Sequence, residues 1–223
     1  MSDQELLSVQ WPQPFDGTPD AVVIWLHGLG ADASDFPPTV PYLELNDQQN
    51  VLFLFPNAPV VPVTVNGGWE MRAWYDILLM EQNQRVINED DLEASVRRLE
   101  AIVVNAINQG VPANRIFLVG FSQGGAVAYE AALRISPNIG GVVAMSTYLA
   151  RELHTIEVAA SAQLPILVLH GDQDDVVTPV MCDNALKQLR GLGFSPEEHR
   201  YPMAHEVSVP SLKQMGLWLQ DRL

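Results

Sequence analysis

The sequence predicts an α/β fold with a mainly parallel central sheet flanked by helices, in one domain spanning residues 1–223. Three observations predict it. Short, near-continuous apolar runs recur along the chain, as in strands buried on both faces. Helical patterns alternate with those runs, the order that crossovers between parallel strands require. No linker-like stretch, composition break or internal repeat divides the 223 residues, and a domain of that length buries roughly 70% of its unfolded surface.

The elements follow in order. Ala21–Leu26 reads as the first buried strand, and residues 51–55 as the second. Residues 56–74 are rich in Pro, Gly and Val, show no helical period, and read as a long loop, a feature that is usually functional in a compact domain. Asn88 is placed to cap a helix opening with Glu89, Asp90 and Asp91, charges that suit that end. Leu92, Val96, Leu99, Val103 and Ala106 mark its apolar face, and Gly110 ends it. Residues 116–119 form a strand and 124–134 an Ala-rich helix. Gly141–Met145 and residues 166–169 are further buried strands. Residues 179–189 form a helix followed by Gly191 and Gly193, Glu197–Tyr201 an edge strand, and residues 210–219 the last helix.

Composition excludes several classes of function. Asp and Glu outnumber Lys and Arg by 27 to 12, a net charge of −15 that repels a phosphate backbone and an anionic membrane surface. The apolar stretches are too short to span a bilayer. The start, MSDQELLSVQ, has neither the basic region nor the apolar core of a signal peptide. The single cysteine, Cys182, allows no intrachain disulfide and no zinc site built on cysteine clusters. These features lead us to expect a soluble, cytoplasmic protein without nucleic-acid partners or stable membrane insertion.

Chemistry concentrates in four places. Gly120-Phe121-Ser122-Gln123-Gly124 is a G-x-S-x-G sequence between a strand and a helix, the setting of a nucleophile elbow. The glycines suit a turn where a side chain would strike the neighbouring strand and helix. The serine hydroxyl would then project beside a helix N-terminus. A serine needs a base, and elbow proteins of this type order the chain as serine, acid, histidine. His27 precedes the serine, His154 has no acid motif before it, and His170 ends a strand just ahead of the acid candidates. His205, in a loop before the last helix, is the expected base, with His199 as the fallback.

The acid is expected after the 166–169 strand, where Asp174 has the G-x-x-D-x-x-V spacing that resembles other α/β-hydrolases, while Asp172 and Asp175 suit turn or helix-flanking roles. A metal reading of this acidic cluster lacks a histidine at ligand spacing. An oxyanion needs two backbone donors. The residue after the nucleophile, Gln123, supplies one. The loop Leu26-His27-Gly28-Leu29-Gly30 supplies the other, with Leu29 as the expected donor and His27 bracing the loop.

With these pieces in order, the sequence resembles the phospholipase/carboxylesterase family of α/β-hydrolases, which includes acyl-protein thioesterases and small bacterial carboxylesterases. WLHGLGADASDF (25–36), FPNAPVVPVT (55–64), WYDI (74–77), GFSQGGAVA (120–128), HGDQDDVV (170–177) and His205 carry the resemblance. It implies a hydrolase with no large lid domain and no cofactor or metal, acting on a small-molecule acyl ester or thioester. By position it implies Ser122 as nucleophile, Asp174 as acid and His205 as base. Leu29, Trp74, Ile77, Tyr148 and Val176 occupy places that line the acyl groove in relatives, the alternative being that Trp74 and Ile77 are simply core. Trp69 and Met71, in the long loop, are further candidates for facing a ligand. Arg72 stands where several relatives carry Pro, and Tyr148 replaces a Trp found in some thioesterases. Small members of the family also pair as homodimers.

The expectation is therefore a serine carboxylesterase acting through an acyl-serine intermediate, with Asp174 steadying the His205 imidazole. The alternatives are an acyl-protein thioesterase or lysophospholipase, and a non-catalytic binding protein on the same scaffold.

Overall fold

The structure, a computed structural model, describes residues 6–223. In chain order the strands are β1 (Leu6–Trp11), β2 (Ala21–Leu26), β3 (Val51–Pro56), β4 (Val60–Val63), β5 (Trp69–Arg72), β6 (Ile77–Glu81), β7 (Gln84–Ile87), β8 (Ile116–Phe121), β9 (Gly141–Met145), β10 (Ile166–Gly171) and β11 (Glu197–Tyr201). The helices are α1 (Glu89–Asn108), α2 (Gln123–Arg134), α3 (Pro179–Gly191) and α4 (Val209–Gln220). The main sheet runs β1-β3-β2-β8-β9-β10-β11. Every neighbouring pair is parallel except β1 with β3.

Strand side chains alternate between two apolar layers, as the pleat requires. Val22, Ile24 and Leu26 of β2, with Leu118, Val142 and Val168, meet α1, α2 and α3. Val23 and Trp25, with Phe117, Val143 and Leu169, meet Leu212, Met215 and Trp218 of α4 and the short 3-10 helix Pro37–Leu43. Covering on both faces is why these strands read as unbroken apolar runs.

Asn88 caps α1 by accepting from the amides of Asp90 and Asp91 at 3.0 and 3.3 Å, and Gly110 beyond the helix has φ +100°. Glu93 of α1 reaches Arg134 of α2 at 2.7 Å. That contact, with Arg97 adding to it, pulls the Glu93 carboxyl down to about 2 against the cost of its partial burial. No helix among the described residues is long and apolar enough to cross a membrane.

Residues 56–74 are not the long loop their composition suggested. They hold an antiparallel hairpin, β4–β5, pairing Val60 with Arg72 and Val63 with Trp69. Its turn uses Gly67 and Gly68, at φ +71° and +77°, and Thr64 binds the Asp76 carboxylate through both its amide and its hydroxyl. Four-residue strands with half of their side chains exposed, one of them containing Pro62, leave little periodic signal. A second hairpin, β6–β7, in which four of the five β6 side chains are exposed, and the antiparallel edge strand β1 were also unforeseen. All three lie outside the doubly covered centre of the sheet.

Candidate active site

Ser122 sits in the turn between β8 and α2 with φ +53° and ψ −122°, a conformation that costs a non-glycine residue about 1–3 kcal/mol. The surroundings enforce it. The Ser122 amide donates to the Met145 carbonyl at 3.0 Å, and the Ser122 carbonyl accepts from Gly125 at 3.0 Å and from the Thr147 hydroxyl at 2.6 Å. A β-carbon at Gly120 would stand 2.4 Å from the Gly124 carbonyl oxygen, and one at Gly124 would stand 2.5 Å from that of His27. These contacts press helix, strand and loop together and leave the serine side chain outside.

Asp174 follows β10, and its carboxylate is buried. Oδ1 accepts from the amides of Val176 and Val177 at 3.0 and 2.8 Å, and Oδ2 accepts from Nδ1 of His205 at 2.8 Å. The other ring nitrogen of His205, Nε2, is 2.9 Å from Ser122 Oγ and accepts the hydroxyl proton in that tautomer. Serine, histidine and aspartate thus form one continuous chain of hydrogen bonds across the C-terminal ends of β8, β11 and β10, where open parallel sheets bind ligands. Asp172 and Asp175 are exposed. His199 pairs instead with Glu197 at 2.8 Å on the surface. His170, fully buried, donates from Nε2 to the Val177 carbonyl at 2.9 Å and so holds the loop that carries Asp174. Burial keeps its pKa below the ordinary imidazole value.

The loop after β2 carries Leu29, whose amide makes no hydrogen bond within the described residues, and the Gln123 amide at the start of α2 is equally unengaged. His27 braces this loop: Nδ1 donates to the Gly28 carbonyl at 2.7 Å, and Nε2 accepts from the Ala58 amide at 3.1 Å. Burial lowers its pKa as well, the neutral form being the one that can make both bonds.

A cavity of about 510 Å³ opens over Ser122 and His205. Leu29, Ile77, Tyr148 and Val176 line it, as their positions suggested. Trp74 does not. It lies behind the loop, 2% exposed, its indole donating to the His27 carbonyl at 2.8 Å, so its place is in the core. Trp69 and Met71 stand outside the lining too, Trp69 being 75% exposed on β5. Arg72 spans its hairpin to the Ala58 carbonyl at 2.8 Å, and its own carbonyl accepts from Gly30.

Three features escaped the sequence reading. The buried Gln123 side chain accepts from the Trp74 amide at 2.8 Å and donates to the Tyr75 carbonyl at 2.7 Å. The Phe121 ring packs 4.9 Å from the His205 ring, and Arg85 enters the cavity wall. Nothing in a lone Gln, Phe or Arg marks such a role; only the fold brings them there. Among the described residues no three His, Cys, Asp or Glu side chains gather as metal ligands would.

A mainly parallel sheet covered on both faces, with Ser122, Asp174 and His205 beyond the ends of β8, β10 and β11, defines an α/β-hydrolase fold. The chain belongs to the phospholipase/carboxylesterase family, whose profile matches residues 13–222. It is 36% identical over 210 residues to "Acyl-protein thioesterase 1" of Saccharomyces cerevisiae, covering 90% of this chain and 92% of that protein. It is 31% identical over 205 residues to "Carboxylesterase SOBER1" of Arabidopsis thaliana, 90% of each chain. The crystal structure of Arabidopsis SOBER1 matches with a TM-score of 0.84 at 30% identity, over 91% of this chain and 98% of that one.

Proposed function

We propose that the protein is a serine carboxylesterase that hydrolyses short- to medium-chain acyl esters. The observation that carries this reading is the unbroken hydrogen-bond chain from Asp174 through His205 to Ser122, at 2.8 and 2.9 Å, at the mouth of the cavity. His205 takes the Ser122 proton as Oγ attacks the acyl carbonyl, and Asp174 holds the imidazole in the required tautomer and steadies its charged form. The oxyanion accepts from the amides of Leu29 and Gln123, donors of a kind worth about 10²–10³ in rate each. His205 then returns the proton to the departing alcohol. Water, deprotonated by the same histidine, cleaves the acyl-serine and releases the acid. A cavity of about 510 Å³ walled by Leu29, Ile77, Met80 and Val176 suits an acyl chain of modest length.

The test is the rate of hydrolysis of nitrophenyl esters from acetyl to lauroyl, with Ser122→Ala alongside. A Ser122-dependent maximum at short or medium chains is expected, with turnover nearly abolished in the variant. Near-wild-type turnover by Ser122→Ala would overturn the mechanism. A second reading, acyl-protein thioesterase, is favoured by the name of the Saccharomyces relative. A thioester turned over well ahead of the matched oxygen ester would support it.

A further inference from the structure

Arg85 lies in the wall of the cavity that holds Ser122 and is only 9% exposed. Its guanidinium donates to the carbonyls of Glu81 at 2.6 Å, Gln84 at 3.0 Å and Val176, and stands 6.0 Å from the centroid of the Tyr148 ring. No carboxylate among the described residues pairs with it, although the chain has 27 acidic residues, and Arg134, Arg151 and Arg200 all have carboxylate partners. A cation taken out of water without a counter-charge is costly, and an anion that reaches it recovers part of that cost. Arginine has five N–H donors in a planar fork, and three hydrogen bonds to carbonyls leave part of that fork unspent.

Position says what the anion would belong to. On the serine-esterase reading above, His205 delivers its proton to the leaving group, so the alcohol lies on the histidine's side. The cavity's two carboxylates lie on that side as well. Glu206 follows His205, and Asp35 precedes Phe36, whose ring meets Phe121 beside the histidine. Arg85 stands instead among the apolar side chains of the wall, which suit an acyl chain: it shares the β6–β7 hairpin with Ile77 and Met80, binds the Val176 carbonyl and lies 6.0 Å from the Tyr148 ring centroid.

We propose that Arg85 is a specificity-determining residue that receives a carboxylate at the far end of the acyl chain, so that monoesters of linear dicarboxylic acids are favoured acyl donors. The inference rests on the esterase reading and leaves its chemistry unchanged. The ester C–O bond breaks as the Ser122 acyl bond forms, the alcohol leaves with the proton from His205, and water releases the dicarboxylic acid.

The test compares the methyl monoester of adipic acid with methyl adipamate, its neutral amide counterpart, by titration of released acid. The same pair is measured from succinate to suberate, with methyl butyrate as the uncharged reference. At the best length the acid should exceed the amide in kcat/KM by about tenfold, the scale of one charge-assisted hydrogen bond away from water. That ratio should collapse in Arg85→Met and survive in part in Arg85→Lys. Free dicarboxylate of the best length should inhibit the wild type competitively. Turnover of methyl butyrate with no preference for the acid at any length overturns this proposal alone, whether or not the variants fold. An acid preference that persists in Arg85→Met overturns the assignment to Arg85. No Ser122-dependent turnover of methyl butyrate overturns the esterase reading, and the proposal with it.

Discussion

Replacing Gln123 by alanine separates two jobs that one residue performs. Its backbone amide, at the first position of α2, stays in place as a candidate oxyanion donor. Its buried side chain disappears, and with it the acceptor for the Trp74 amide and the donor to the Tyr75 carbonyl. Neither group has another hydrogen-bond partner among the described residues. A lost hydrogen bond costs about 1 kcal/mol net, and a buried group left unpaired costs about 1–3 kcal/mol. Water entering the vacated space would reduce the penalty, so about 1.5 kcal/mol for each of the two groups is a fair middle value, about 3 kcal/mol together. For a domain of this size each kcal/mol shifts Tm by about 2–4 °C, which predicts a fall of about 6–12 °C. Trp74 also holds the His27 carbonyl, so loosening it should lower kcat, while turnover stays far above that of Ser122→Ala. Calorimetry and nitrophenyl butyrate hydrolysis on the same preparations make the assay. A Tm within about 2 °C of wild type would refute the claim that this side chain clamps the 74–75 segment.

Three other predictions concern separate parts of the molecule. Gly124→Ala places a β-carbon 2.5 Å from the His27 carbonyl oxygen and 2.7 Å from Leu26 Cβ, so α2 must back away from β2. A loss of about 1–3 kcal/mol by denaturant unfolding is expected, together with reduced turnover, and an unchanged variant would contradict the close approach. Buried His27 and His170 both have lowered folded-state pKa values. The unfolded chain therefore binds more protons, and their stabilisation is complete above the ordinary imidazole value of about 6.5 and is lost as pH falls below it. Glu93 adds a further loss as pH falls through the carboxylate range toward about 2. Unfolding midpoints that rise from neutral pH to about pH 5 would reverse the predicted sign, and His170→Phe should flatten the slope. Cys182 is 1% exposed, and burial pushes its thiol up to about 12. A disulfide reagent should therefore find no reactive thiol in the native protein and one after denaturation.

The central sheet was legible because burial on both faces leaves no polar positions to dilute its strands. Glu197–Tyr201 was read with the observed bounds, and Asn88 with its observed capping role. The order of Ser122, Asp174 and His205 was legible because each stands just after a readable strand and in a fixed sequence context. What stayed hidden depends on contacts between segments distant in the chain. Trp74 and Ile77 are three residues apart and both apolar, yet one packs behind the loop of His27 and Leu29 and the other faces the cavity. No local pattern separates them, because the hairpins on either side decide which way each points. Arg85 was invisible for the same reason, its neighbour Val176 being 91 residues away.

The β6–β7 hairpin supplies Ile77, Met80 and Arg85 to the cavity, yet among the described residues it forms a two-stranded sheet with no rung to the seven-stranded one that positions Ser122, Asp174 and His205. Descendants of this gene can lengthen, shorten or exchange that ribbon without shifting the alignment of a single central strand. For an engineer the ribbon is the segment to transplant between relatives, provided that Arg85 and its bond to the Val176 carbonyl, beside Asp174, are kept.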